Sequence, residues 1–239
     1  MNFVQVKPGV LAEAESVAHP PTMSQRVPIP ALFVTALVAG VSFWAASHIL
    51  PAGPALVAWK GTAVALLAVW VALAARTLAA RWLAVVLGFA ALGDVLLETS
   101  GMTIGGAAFL ASHLLATGLY WTNLRADRSG TGVAIALLLG IPCAGYALSG
   151  QPGVLVYGLA LGGMVATAWI SRFPRSWVGA GALLFAVSDL LIFARLGPLV
   201  DSIVPTLLVW PLYVAGQAMI AYGVVRTERA GNEGVHDRL

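Results

Sequence analysis

Charge is scarce in this 239-residue chain: Asp, Glu, Lys and Arg make up 10% of it, against about 25% in soluble domains. With 59% hydrophobic residues and a mean hydropathy of +0.89, the composition is that of a polytopic membrane protein rather than a soluble one. Cysteine is almost absent. Cys143 alone cannot form an intramolecular disulfide, and its apolar surroundings in sequence predict a small buried residue. Signature motifs are missing too: there is no GxxxxGK[ST] or GxGxxG phosphate loop, no GxSxG, no HExxH and no Cys pair. One deep His does not make a zinc site, so neither a metal nor an organic cofactor is expected. The formal charge of +3 implies no nucleic-acid partner, because all but Lys60 and Arg195 of the 13 Lys and Arg fall in tails and alternate connections, where membrane topology explains them.

What is present is a series of long apolar runs. A bilayer core of ~30 Å needs about 20 apolar residues per helix, and eight spans meet that length: 30–50, 54–75, 82–98, 102–122, 131–149, 153–171, 177–195 and 203–225. The predicted fold is therefore all-α, with residues 30–225 forming one eight-helix membrane domain. Residues 1–29, with Pro8, Pro20, Pro21 and Pro28 and no helical period, read as a disordered tail, and 226–239 as a second tail. The first run begins too late and is too long for a cleaved signal peptide, so a retained helix is expected. The connections 51–53, 99–101 and 150–152 carry no Lys or Arg, whereas Arg76 and Arg81, Arg125 and Arg128, and Arg172 and Arg175 flank the alternate ones. Both termini are then expected in the cytoplasm, the protein spanning the cell's inner membrane.

Inside these runs the few polar residues stand out. An Asp at membrane depth costs at least ~2.5 kcal/mol, so it ordinarily faces a bundle interior or a wet cavity and marks a functional site. Asp94 and Asp189 are two such residues, each ~18 Å from the inner end of its helix by the helical rise. Lys60 comes to a similar level, and His113, Tyr213 and Gln217 sit somewhat deeper. Asp94 and Glu98 share a helix face, but Glu98 and His48 lie at helix mouths, where a surface position is expected. Lys60 reads equally as a residue snorkelling to the interface or as a counter-ion to the Asp pair. His113 could bond a carbonyl, and Tyr213 and Gln217 could join helices. Trp82 and Asp94 repeat as Trp177 and Asp189, and Phe109 and His113 as Tyr213 and Gln217. A parallel duplication of a four-helix unit is one reading of this, with related faces meeting in the middle, and chance similarity the other. Gly93, Gly105 and Gly181 are among the glycines expected to let helices approach closely.

Taken in order, the LGDVLL helix, the F-x-x-x-H-x6-Y helix, the GALLFAVSDLL helix and the Y-x-x-x-Q-A-x-I helix resemble the lysoplasmalogenase family, also called YhhN-like. The likeness covers most of residues 30–225. Lys60 matches a Lys of the family's second helix, although the WKGT here departs from the usual Lys-Pro. The resemblance implies an eight-helix ether hydrolase that cleaves the vinyl ether of lysoplasmalogens, with Asp94 and Asp189 as its catalytic pair and a lysophospholipid as its partner in the bilayer. The chemistry agrees with the pairing. Protonation of the vinyl β-carbon needs one acid in its protonated form, and the resulting oxocarbenium ion and its attacking water need a second, ionised one, here expected beside Lys60. A proton-coupled transporter remains the alternative, since two buried Asp and a Lys also make a proton relay. A lipid-binding scaffold is a third.

Overall fold

The computed structural model describes residues 29–127 and 129–236. Apart from Ile29, the expected N-terminal tail lies outside the described residues. Among the described residues the chain forms eight α-helices: α1 (Ile29–Ala46), α2 (Pro54–Ala74), α3 (Leu78–Thr99), α4 (Gly101–Trp121), α5 (Thr131–Ser149), α6 (Pro152–Ile170), α7 (Ala180–Ala194) and α8 (Val204–His236). A π-helical turn, Arg175–Gly179, leads into α7. Seven of the eight, with that turn counted into α7, are long and apolar enough to cross a membrane; α1 is apolar but shorter. It ends four residues before the limit expected from hydropathy, and residues 47–50 continue as turns bonded back to its last carbonyls. At the other end, α8 runs on through 226–236, which the sequence had set apart as a tail. A multi-pass membrane protein results, and its surface agrees: Val38, Val41, Val85, Leu92, Leu114, Ile135, Val156 and Leu159 all point outward. Cys143 is among the outward-facing residues, not buried as expected. An apolar residue is equally at home facing lipid or facing the bundle, so its apolar neighbours could not decide its side.

Helices pair along the chain, α1 with α2, α3 with α4, α5 with α6 and α7 with α8, and the halves meet where α4 packs on α6 and where α8 leans on α1, α2 and α3. Small residues set how closely they meet. A Cβ on Gly181 would stand 2.7 Å from the Gly216 carbonyl oxygen of α8, and one on Gly93 would stand 2.7 Å from the Phe109 ring of α4. Both distances are below any tolerable contact, so α7 against α8 and α3 against α4 require glycine there.

Helix α8 carries Pro211 in its interior. Proline has no N–H to give the carbonyl one turn earlier, that of Leu207, and Trp44 of α1 fills the gap by donating its Nε1–H to Leu207 O at 3.0 Å. Trp210 Nε1 donates to the Gly40 carbonyl of α1 at 2.8 Å, and the Ser188 hydroxyl of α7 donates to the Val209 carbonyl at 2.9 Å. The proline turn is thus held from both sides, two residues before Tyr213.

The arginines of the alternate connections also bind the fold together. Leu124 and Ser171 form an isolated antiparallel bridge, and Arg125 donates through Nε and Nη2 to the Ser171 carbonyl. Arg172 Nη2 meets Glu228 of α8 at 2.5 Å while its Nε donates to Asn123 Oδ1. Glu228 is buried, so Arg172→Ala leaves an uncompensated carboxylate. The expected loss is about 1–3 kcal/mol, read as a lower melting temperature in detergent, with Arg172→Lys recovering part of it.

Candidate active site

A cavity of about 590 Å³ lies between α2, α3, α4, α6, α7 and α8. Met102 and Thr103 at the start of α4, and Gln151 and Gly153 at the start of α6, line its mouth, which places that mouth at the arginine-poor end of the bundle. Asp94 of α3 and Asp189 of α7 both reach its wall, as do Lys60 and Tyr213. The two acids are 2% and 5% exposed, so both are withdrawn from bulk solvent. Apolar side chains such as Leu97, Leu110, Ile192 and Phe193 make up most of the remaining lining.

Each Asp is held by a tyrosine from the other side of the bundle. Tyr213 of α8 donates its hydroxyl to Asp94 Oδ2 at 2.7 Å. Tyr157 of α6 donates to Asp189 Oδ2 at 2.8 Å. Behind Tyr157 stands His113 of α4, fully buried, its Nε2 2.9 Å from the tyrosine oxygen and 3.5 Å from Asp189 Oδ2. Because the single phenol proton goes to Asp189, the oxygen of Tyr157 accepts from His113, which fixes the Nε2–H tautomer. Nδ1 is then a bare acceptor, and it is buried without a partner. A hydrogen on that atom would be an orphaned donor, the costlier of the two arrangements. Beneath the acids, Phe109, Phe185, Tyr213 and His113 pack edge to face, with Phe185 centred 5.1 Å from both Tyr213 and His113. Of these four, Phe109 and Tyr213 line the cavity itself.

Of the six residues singled out from sequence, four reach the cavity. His113 stands behind Tyr157, near Asp189 but off the cavity wall, and Gln217, buried one turn after Tyr213, does not line it either. Of the two readings of Lys60, interface snorkel and counter-ion to the Asp pair, its hydrogen bond fits the first: its Nζ donates to Glu98 Oε1 at 2.6 Å. The reason is reach. Lys60 can extend its four-carbon stem toward the wetter mouth, where Glu98 stands one turn beyond Asp94 on the same face. His48, at its helix mouth, is exposed and bonded to Trp44. Tyr157 and Trp210 were missed by sequence reasoning, since an aromatic in an apolar run is ordinarily packing. The only hint for Tyr157 was its place as a phenol within an otherwise Gly, Leu and Val stretch.

Comparison with known proteins adds to this geometry. Residues 55–224 match the YhhN family. The chain belongs to that family. The matched region runs from α2 into α8 and contains every side chain of the cavity wall named above. Two proteins named lysoplasmalogenase, from Mycobacterium bovis and Mycobacterium tuberculosis, are each 34% identical over 126 residues, covering 47% of this chain and 48% of the relative. The match thus spans about half the length of these relatives. No solved structure matches this YhhN-family chain.

Proposed function

We propose that the protein is an integral membrane hydrolase that cleaves the vinyl ether of lysoplasmalogens, releasing a fatty aldehyde and a glycerophospho-alcohol. The observation that carries this reading is the pairing of two buried Asp in one cavity of lipid-chain character. A cavity of about 590 Å³ lies within the usual range for small-ligand sites, roughly 300–1,000 Å³. The name borne by the two mycobacterial relatives supports the same substrate class.

The residues suggest a division of roles. Asp189 has a tyrosine hydroxyl aimed at it with His113 behind, a donor set that suits the anionic partner. Asp94, with Tyr213 alone, is left as proton donor. Asp94 gives its proton to the β-carbon of the vinyl ether, and the electron pair of the double bond forms the new C–H bond. The oxocarbenium ion that results is faced by the Asp189 carboxylate, which then takes a proton from the water that adds to the carbon bearing oxygen. The hemiacetal so formed loses its hydroxyl proton, the bond between that carbon and the glycerol oxygen breaks, and the glycerol oxygen takes up a proton. One water is consumed and no redox change occurs. The scheme parallels glycoside hydrolysis, in which two carboxyl groups flank a similar cation.

The test is direct. Purified protein given alkenyl-lysophosphoethanolamine or alkenyl-lysophosphocholine releases fatty aldehyde; absence of aldehyde, together with pH-gradient-driven flux in proteoliposomes, would select a transporter instead. Removing one supporting hydroxyl is milder than removing an acid. Tyr157→Phe and Tyr213→Phe are each expected to lower kcat about 10- to 100-fold, the range of a lost hydrogen bond to a group that is charged in the transition state, with KM nearly unchanged. A proportional fall in KM and kcat, or none in either, would remove the tyrosines from the mechanism.

For orientation, we propose both termini in the cytoplasm and the cavity mouth toward the opposite face of the cell membrane, on the arginine distribution. Reporter fusions after Gly101 and after Arg125 should report opposite sides, the second cytoplasmic; the reverse result would invert the protein.

A further inference from the structure

The outward order of charged groups along α3 is unusual for a site that needs only two acids. Asp94 and Glu98 lie on one face, four residues or ~6 Å apart along the axis. Lys60 lines the cavity with Asp94 and turns its ammonium to Glu98, 2.6 Å away. The Lys60 side chain is 14% exposed and that of Glu98 48%. The same ammonium stands 5.9 Å from the centre of the Trp210 ring, which also lines the cavity. Passing outward, the sequence of groups is therefore carboxyl pair, cation, half-exposed anion. Glu98 is open to water, which screens the pair and can solvate the carboxylate when the pair opens, so opening it costs the fold little.

These spacings match a substrate of the class proposed above. In a lysoplasmalogen five bonds separate the vinyl ether oxygen from phosphorus and four more separate phosphorus from the head-group nitrogen. At the advance of an extended chain, roughly 1.2 Å per bond, these are ~6 Å and ~5 Å. With the vinyl ether at the Asp pair, the phosphate reaches the level one helical turn farther out, where Lys60 and Glu98 meet.

We propose that Lys60 and Glu98 form the head-group subsite, Lys60 taking the phosphate and Glu98 the terminal ammonium of a zwitterionic, ethanolamine-type lysophospholipid. The internal ion pair is exchanged for two intermolecular ones, so no charge is left uncompensated. A head group that ends in phosphate satisfies Lys60 but sets its own negative charge beside Glu98. A quaternary ammonium offers the charge without an N–H for the carboxylate. The site therefore ranks primary amine above quaternary amine above no amine. This assignment rests on the orientation implied by the hydrolase reading, and its test is independent of turnover.

The probes are saturated 1-O-alkyl lysophosphoethanolamine and 1-O-alkyl lysophosphatidate, which carry no vinyl ether to hydrolyse, titrated into the purified full-length protein in detergent. Wild type is expected to bind the ethanolamine lipid about fivefold more tightly, the worth of one half-exposed pair. Glu98→Gln should erase that preference, chiefly by tightening the lysophosphatidate. Lys60→Gln should weaken both lipids about tenfold, with Lys60→Arg restoring them to within a few-fold and so separating a binding role from a folding one. A Glu98→Gln protein that keeps the wild-type ratio, or a Lys60→Gln protein that binds both lipids as wild type does, overturns the subsite. If the binding ratios behave as stated and alkenyl lipids yield no aldehyde, the hydrolase reading fails and the subsite stands. If aldehyde appears but the ratios do not respond, the reverse holds.

Discussion

Asp94→Asn and Asp189→Asn are each expected to lower aldehyde release by about 10³-fold, within the range for loss of a general acid or base, while melting in detergent should stay close to wild type. The second half of that result follows from the hydrogen bonds. Asn keeps the side-chain oxygen that accepts from Tyr213 or Tyr157, at 2.7 and 2.8 Å in the native protein, and its volume differs little from that of Asp. Packing survives. Because Lys60 pairs with Glu98 rather than with either Asp, neutralising an Asp leaves no cation stranded in the bundle. The double variant should cost little more than either single one, since groups serving one transition state are strongly non-additive. A folded double variant with a tenth of wild-type turnover would sink the catalytic pair.

Gly106→Phe is expected to abolish turnover as completely, by filling the cavity instead of altering its chemistry. Gly106 lines the cavity, and a Cβ built on it meets nothing within 4 Å. The ring therefore enters the space that the proposed substrate would occupy. A loss above 100-fold is expected, since the lipid chain cannot be positioned for attack. Stability should change by less than ~0.5 kcal/mol, as for substitutions away from packed contacts. Gly93→Phe is the contrasting control, because Gly93 is pressed against Phe109 and the substitution should fail in folding. A Gly106→Phe protein with near-native kcat/KM would show that substrate does not use this cavity.

Much of the architecture was legible before any tertiary contact was known. The span limits inferred for α2 to α6 agree with the helices to within a few residues, because runs of about 20 apolar residues broken by arginine, glycine and proline leave a chain in a bilayer few alternatives. Asp94 and Asp189 were legible for a related reason: a carboxyl group in an apolar run is costly enough to demand an explanation. The family likeness rested on the same residues.

The tertiary structure decided which faces meet. Pairing of Asp94 with Tyr213, of Asp189 with Tyr157 and His113, and of Lys60 with Glu98 joins α3 to α8, α7 to α6 and α4, and α2 to α3. None of these partnerships is written in the period of the helices. In water a helix declares its buried side through the contrast of apolar and polar faces, but lipid is as apolar as the bundle interior, and that contrast vanishes. The outward-facing Cys143 and the cavity-lining Trp210 went unread for this reason. Composition and spacing thus determined the number of helices, their approximate ends and the place of each acid along its helix. Rotation of each helix about its axis was decided only by close packing at Gly93 and Gly181, and by the few hydrogen bonds that polar side chains could make in a medium offering them no water.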